Sequence, residues 1–247
     1  MPDDQAHGLR RLFARRDVPL LGVVGENATA IALELAGAYA GMSRRVLLLD
    51  RSCGEAALGL GLRARCELRH ALTGERTLRQ VALDGPPNVV VLPAARAFDA
   101  MDAEGAVAWE TLCQRLDPEL GPFDVLLVNG VPPALPDAAV LLALAPTSTA
   151  LTHAYAELKK LSRRGTPRRC DVVIHRARTE AAALDAFDSV AITAGRFLGM
   201  TLALAGTLPD APRRPAPGAE SERARSMLRI ALRLTAEPLP QRMAVNH

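Results

Sequence analysis

The chain has 247 residues, 49% of them hydrophobic, and a formal net charge of +3. This length and composition allow a full hydrophobic core, and we expect one domain. The mild charge does not by itself indicate nucleic-acid binding. No apolar run approaches the roughly 20 residues of a membrane-spanning helix, and the acidic, polar start of the chain is unlike a signal peptide. We therefore expect a cytoplasmic protein.

The spacing of the cysteines also favours a cytoplasmic location. The four cysteines lie far apart and include no CxxC pair, which argues against a zinc site and against a disulfide framework. Reduced thiols are typical of a cytoplasm. The residues are Cys53, Cys66, Cys113 and Cys170.

Residues 1–16 predict a short amphipathic helix. Asp4 is a candidate N-cap, and Leu9, Leu12 and Phe13 recur at helical spacing. Because helices shorter than about 15 residues are marginal alone in water, we expect this one to form when it docks on a partner. A frayed tail is the alternative.

A strand predicted at residues 18–24 and a helix predicted from about Thr29 flank a very short loop. A phosphate-binding loop of the form GxxxxGK[ST] needs glycines, a lysine for the phosphates and a hydroxyl for Mg²⁺. Here Glu26 places a carboxylate where phosphates would lie, and Ala28 takes the lysine position if Thr29 supplies the hydroxyl. An ordinary turn with Thr29 as N-cap is the alternative. The degenerate loop reads Gly25, Glu26, Asn27, Ala28, Thr29.

Apolar runs then alternate with helical patterns. Parallel strands that are buried on both faces appear as unbroken apolar runs, and this pattern predicts strands at residues 44–50, 88–92, 123–129, 138–145, 170–175 and 201–206. Helices are predicted at residues 68–72, 78–83, about 103–116, 148–163, 179–198 and 220–235. The strands predicted at residues 123–129 and 138–145 are too close in sequence for a connection that contains a helix. The alternation predicts a single α/β domain with a doubly wound, mostly parallel sheet and helices on both faces.

The predicted organisation has five parts: an N-terminal helix (1–16), the α/β domain (17–208), a Pro/Arg-rich loop (209–218), a closing helix (219–236) and a tail (237–247). The closing helix carries an apolar stripe, and Arg225, Arg229 and Arg233 step by four on another side. Such a helix either packs on the sheet or lies on an anionic membrane. We favour packing on the sheet.

Several stretches together resemble the MinD/ParA-type ATPases, and among them the flagellar-number regulators of the FlhG (FleN) type. DQAHGLRRL at residues 4–12 is similar to the N-terminal DQAxxLR activator helix of those proteins. Five further stretches occur in the family's order: RRVLLLD, LTGERTL, VLPAA, FDVLLVN and PTSTALTHAYAELKKL. The resemblance covers most of residues 4–235 and implies the SIMIBI-type P-loop NTPase fold.

Departures from the family pattern concentrate at the nucleotide site. Residues 25–29 replace a loop of the form KGGVGKT, and the acid pair that begins at Asp50 lacks its second carboxylate. Asn129 replaces the metal-side aspartate, and His175 replaces an adenine-binding asparagine. Losing one preorganised charge partner costs about 10² to 10³ in rate. The resemblance therefore implies an inactive ATPase homologue that uses no cofactor. From the residues alone, Asp50 is more simply a strand-end cap and His175 a structural or exposed residue.

The resemblance also implies partners. In FlhG-like proteins the N-terminal helix stimulates an SRP-type GTPase, FlhF, and an amide such as that of Gln5 can position an attacking water. A transcription activator of the FleQ type is a second implied partner. The residues expected to bind the GTPase are Asp4, Gln5, Ala6, Leu9, Arg10, Leu12 and Phe13.

Two other functions stay open at this point. The first is a weak, MinD-like ATPase that binds ATP and Mg²⁺ through Thr29 and dimerises on ATP. The second is peripheral membrane contact through residues 219–236, at the inner membrane or the cell pole. We expect no metal site and no nucleic-acid partner, and the oligomeric state stays open.

Overall fold

The computed structural model describes residues 18–104, 106–133, 138–165, 169–210 and 222–236. The predicted N-terminal helix, with its partner-binding residues Asp4 to Phe13, lies outside these ranges. So do most of the Pro/Arg-rich loop and the whole tail.

One eight-stranded sheet organises the described chain, in the order β3-β4-β2-β5-β1-β6-β7-β8. All neighbours are parallel except β3, which runs antiparallel to β4. The predicted fold class, a doubly wound, mostly parallel α/β sheet, is confirmed. The strands are β1 (Leu20–Gly25), β2 (Val46–Asp50), β3 (Leu83–Asp84), β4 (Val89–Pro93), β5 (Val125–Asn129), β6 (Ala139–Leu144), β7 (Arg169–His175) and β8 (Ala203–Leu208).

Helices cover both faces of the sheet because the central strands are apolar on both sides. In β1, Leu21 and Val23 pack with one helical layer, whereas Leu20 and Val24 pack with the other. The first layer holds α1 (Ala28–Gly41), α2 (Glu55–Gly59) and α9 (Glu222–Ala236). The second holds α3 (Leu68–Leu72), α4 (Leu78–Val81), α5 (Ala95–Glu104), α6 (Ala106–Leu120), α7 (Ser148–Arg164) and α8 (Glu180–Leu198).

Two predicted helices differ from the structure. The helix expected at about 103–116 is instead the pair α5 and α6, which begins at Ala95. The helix expected at 78–83 ends at Val81, and the chain then forms the two-residue strand β3. No helix occurs in the described part of the connection from β5 to β6.

α9 closes the first layer. Its residues Met227, Ile230 and Ala231 are buried at 2% exposure or less and pack in the cluster that contains α1. The Arg223 guanidinium donates to both carboxylate oxygens of Glu34 on α1, at 3.0 and 2.8 Å. The helix is therefore attached to α1 by apolar packing and by an ion pair.

All four cysteines are free thiols. Burial raises the pKa of the Cys170 thiol to about 12, so this group stays protonated at neutral pH. Across the described ranges, no helix is both long and apolar enough to cross a membrane.

Candidate functional site

The candidate site lies where the carboxyl ends of four parallel strands meet. In open α/β sheets, ligands bind outside this edge, near the point where the strand order reverses. The ends of β1, β2, β5 and β7 place Gly25, Asp50, Asn129 and His175 along it. The sequence-predicted site residues thus lie at one edge of the sheet.

The loop between β1 and α1 is only two residues long, Glu26 and Asn27. Gly25 has φ +100°, and a Cβ on it would lie 2.2 Å from the Ala143 carbonyl oxygen on β6. The Glu26 N–H donates to that same oxygen at 3.1 Å. Asn27 is left-handed, with φ 58°, and its side chain makes no capping hydrogen bond to α1. The loop is therefore pressed against β6, with the Glu26 amide already bonded.

A hydrogen-bonded chain of side chains crosses the site. The Asn129 amide nitrogen Nδ2 donates to Thr29 Oγ1 and to Asp50 Oδ1, at 3.1 Å in each case. Thr29 Oγ1 in turn donates to Glu55 Oε2 at 3.1 Å. The Ser52 N–H adds a further hydrogen bond to Asp50 Oδ1, at 2.9 Å. Neutral donors thus connect the Asp50 carboxylate at the end of β2 with the Glu55 carboxylate at the start of α2.

Arg51 fixes the segment after β2. Its guanidinium donates to the Val131 carbonyl at 2.7 Å and lies over the Phe98 ring, 4.4 Å from the centroid. It also approaches the Asp99 carboxylate at 3.6 Å. Arg51 therefore anchors this segment to α5 and to the connection after β5, while Ser52 stands where the second acid of the expected pair would be.

An ion pair closes the other side of the loop. The Arg176 guanidinium, directly after β7, donates to the Glu26 carboxylate at 3.1 Å. His175 is 2% exposed, and its Nε2 has no hydrogen-bond partner among the described residues. Burial lowers the pKa of this imidazole; the Glu26 carboxylate opposes the shift, and Arg176 adds to it. The lowered pKa favours the neutral imidazole at this buried position.

These residues do not fit a magnesium–triphosphate ligand. A phosphate cradle needs several free backbone N–H groups and a cation, yet the Glu26 N–H is bonded to β6 and a carboxylate faces the loop. The Thr29 hydroxyl is engaged by Asn129 and Glu55. Asp50 Oδ2 is buried and unpartnered, but within the described ranges no three acidic, histidine or cysteine side chains could hold a metal ion together.

Two residues of this arrangement were not predicted. Glu55 and Arg176 complete the contacts of Thr29 and Glu26. Arg176 could have been found, because it follows the strand end at His175 and strand ends line the site. Glu55 carries no such signal, since it begins a five-residue helix that the sequence pattern does not reveal.

The sheet order and the strand–loop–helix at its carboxyl edge define a protein of the P-loop NTPase fold class. Two solved structures share this fold. The MinD cell division protein of Aquifex aeolicus has a TM-score of 0.64 at 16% identity, covering 90% of this chain and 98% of that one. A plasmid partition protein of Borrelia burgdorferi has a TM-score of 0.56 at 11% identity, covering 87% of this chain and 96% of that one.

Sequence similarity then gives the family. The antiactivator FleN of Pseudomonas aeruginosa is 30% identical over 198 residues, which cover 76% of this chain and 71% of that protein. The chain belongs to the FleN (FlhG) family of MinD/ParA-type proteins. No protein-family model matches it.

Proposed function

We propose that this protein is a regulator of flagellar number or placement that acts by binding other proteins, without nucleotide chemistry. Its relationship to the antiactivator FleN supports the regulatory role. One observation supports the rest: at the carboxyl edge, where ligands bind in sheets of this kind, the Thr29, Asn129 and Asp50 side chains and the Glu26 N–H already bond to other groups of the protein. On this proposal the protein is not an enzyme and uses no cofactor.

The first proposed partner is the SRP-type GTPase FlhF, bound through the N-terminal helix at Asp4 to Phe13. If this segment is helical, the spacing of Leu9, Leu12 and Phe13 would put them on one face, which would bury against the partner. Gln5 would help to position the attacking water, since an amide can donate and accept at once.

The test is GTP hydrolysis by the GTPase in the presence of the full chain, followed as phosphate release. We expect stimulation that Gln5→Ala abolishes and that the neighbouring control His7→Ala preserves. Absence of stimulation, or equal activity of the two variants, would remove the GTPase from the proposal.

The second proposed partner is a transcription activator of the FleQ type, and the name antiactivator, which the relative carries, supports a role against an activator. On α8, Leu184, Ile192 and Phe197 are 43%, 68% and 64% exposed. Large exposed apolar side chains can mark an interaction surface, and Ile192 is the most exposed of the three. We assign the activator contact to α8 around Ile192, and expect Ile192→Asp to lose co-precipitation with the activator while Leu58→Asp, at an exposed apolar residue on α2, retains it.

The alternative is a MinD-like ATP-binding protein with weak activity and ATP-dependent dimerisation or membrane association. One feature favours its membrane part: α9 exposes Arg225, Arg229 and Arg233 together with Leu232. An anionic surface attracts such a helix. Co-sedimentation with anionic vesicles, which Arg225→Glu would weaken and neutral vesicles would not support, would favour peripheral contact through residues 219–236.

A further inference from the structure

The Asn129 amide has an unusual position for a buried side chain. It lies at the end of the central strand β5, is 4% exposed, and has one acceptor on each side. One acceptor is a hydroxyl on α1, and the other is a carboxylate at the end of β2. A hydroxyl on the first helix and a carboxylate at a neighbouring strand end are the kinds of oxygen that a divalent cation bridges in P-loop proteins.

Both hydrogens of the Asn129 amide nitrogen are used in hydrogen bonds. An amide nitrogen carries two hydrogens, and Nδ2 of Asn129 has two acceptors, both at 3.1 Å. Because Thr29 accepts from Asn129, its own hydrogen is free for Glu55, where a bond of 3.1 Å is found. Every donor in this hydrogen-bonded network therefore has an acceptor, and mutually satisfied donors of this kind favour one fixed side-chain arrangement.

The hydrogen-bonded network ends at a carboxylate, Glu55, beside the start of α1. Glu55 brings a carboxylate to Thr29, in the first turn of α1, where the helix dipole favours a negative charge. Phosphates usually occupy such helix N-termini. The Asn129 amide thus lies between the Thr29 and Asp50 oxygens, and the Glu55 carboxylate lies beside the start of α1.

We propose that the Asn129 amide is a built-in substitute for a divalent cation, which joins α1 to β2 and completes the carboxyl edge without metal. This inference deepens the proposed function, because a site completed by its own side chains needs no nucleotide to hold its shape. Its test concerns metal-dependent stability, so its failure would leave the binding of GTPase and activator untouched.

The experiment is thermal unfolding of the full chain in MgCl₂ and in KCl of equal ionic strength. The unaltered protein is expected to have the same Tm in both salts. Asn129→Asp replaces the amide donor by a second carboxylate beside Asp50, and its Tm should fall by roughly 5–10 °C in KCl. Magnesium should restore at least half of that loss, because a cation can bridge the two carboxylates.

Two further variants separate charge from packing. Asn129→Leu removes the donor without creating a metal ligand, so its Tm should fall equally in both salts. The double variant Asp50→Asn with Asn129→Asp exchanges carboxylate and amide, and should recover most of the Tm lost by Asn129→Asp, without magnesium.

Three results would overturn the proposal. Magnesium could stabilise the unaltered protein, as binding at the unpartnered Asp50 Oδ2 would cause. Magnesium could also fail to restore Asn129→Asp, or the exchanged pair could stay as unstable as the single variant. If Asn129→Asp does not fold in KCl, the unaltered protein and the exchanged pair decide the question.

Discussion

Gly25 occupies the point where the chain leaves β1 and passes against the backbone of β6. Its φ of +100° is a conformation that side chains rarely adopt, and a Cβ there would lie 2.2 Å from the Ala143 carbonyl oxygen. Any larger residue must therefore push β6 away or change the loop. The glycine is required for local geometry, whether or not a ligand is bound.

We expect Gly25→Ala to lower the free energy of unfolding by at least about 1–3 kcal/mol, the cost of the strained backbone alone. The matched control is Gly37→Ala on α1, where a Cβ would have no neighbour within 4 Å. This second change should raise stability by about 0.5–1 kcal/mol, because alanine favours the helix. Urea unfolding followed by circular dichroism measures both, and an unaffected Gly25→Ala would contradict the close approach.

His175 gives the stability a pH dependence. Burial lowers the pKa of the folded imidazole below its unfolded value of about 6.5, so the unfolded chain binds the proton first as pH falls. The contribution of the neutral His175 to the free energy of unfolding should be fully present above about pH 6.5. It should decrease as the pH falls toward the pKa of the folded state. The urea midpoint of His175→Gln should change less between pH 7.5 and pH 5.5 than that of the unaltered protein. Thr152→Gln, at an exposed and non-titrating position on α7, should keep the original pH slope.

Sequence reasoning located three members of the site network, Thr29, Asp50 and Asn129, but not the contacts that complete it. Asp50 and Asn129 follow apolar strands, so the strand-end rule places them at one edge. Their neighbours could not be inferred, because the Thr29–Glu55 contact spans 26 residues and the Glu26–Arg176 contact spans 150. Such contacts depend on side-chain directions after folding, which a linear pattern does not encode.

Among the elements, α9 is the one whose role the sequence left open between packing and a membrane. Met227, Ile230 and Ala231 now lie within the core, so this stripe is not available for insertion into lipid. The arginines and Leu232 stay on the outer side. Any membrane contact through α9 would therefore be made while this helix stays packed on the domain.

We expect Met227→Ala to reduce the free energy of unfolding by about 2–5 kcal/mol, as removal of a buried methionine side chain does. Leu232→Ala is the control on the same helix; Leu232 is 49% exposed, so its truncation should cost less than about 1 kcal/mol. Chemical denaturation of both variants decides the matter. Equal effects would indicate that α9 is not packed on α1 in solution.

Strands and helices were predicted well where the sequence has a long and strongly apolar run. The central strands have such runs, and the structure places a strand over each of them, with ends that differ by up to two residues. The helical pair α5 and α6 was predicted as one later helix because alanines at Ala95 and Ala97 give little contrast between faces. β3 was missed because two residues carry no periodicity.

At the scale of the whole molecule, the loops along the carboxyl edge are tied to each other. Glu26 joins the first loop to the segment after β7, and Arg51 joins the segment after β2 to the connection after β5. Thr29 and Glu55 join α1 to α2. Movement of one loop would therefore break contacts in its neighbours, so the edge should behave as one rigid unit.

We expect ATP with MgCl₂ to leave both the Tm and the elution volume of the full chain unchanged, relative to MgCl₂ alone. A ligand that binds the folded state at 100 times its Kd adds about 2.7 kcal/mol of stability, so even moderate binding would be visible. Differential scanning fluorimetry and size-exclusion chromatography provide the measurements. A rise of several degrees, or a shift to dimer, would support the MinD-like alternative.

The two-residue connection between β1 and α1 also bears on how this protein can change over generations. Codon substitutions exchange side chains, but they cannot lengthen a connection whose first residue, Glu26, already bonds to β6. A phosphate-binding loop of the form GxxxxGK[ST] would demand inserted codons as well as a lysine. Single mutational steps do not supply that combination, so this lineage is expected to diversify through its outer surfaces.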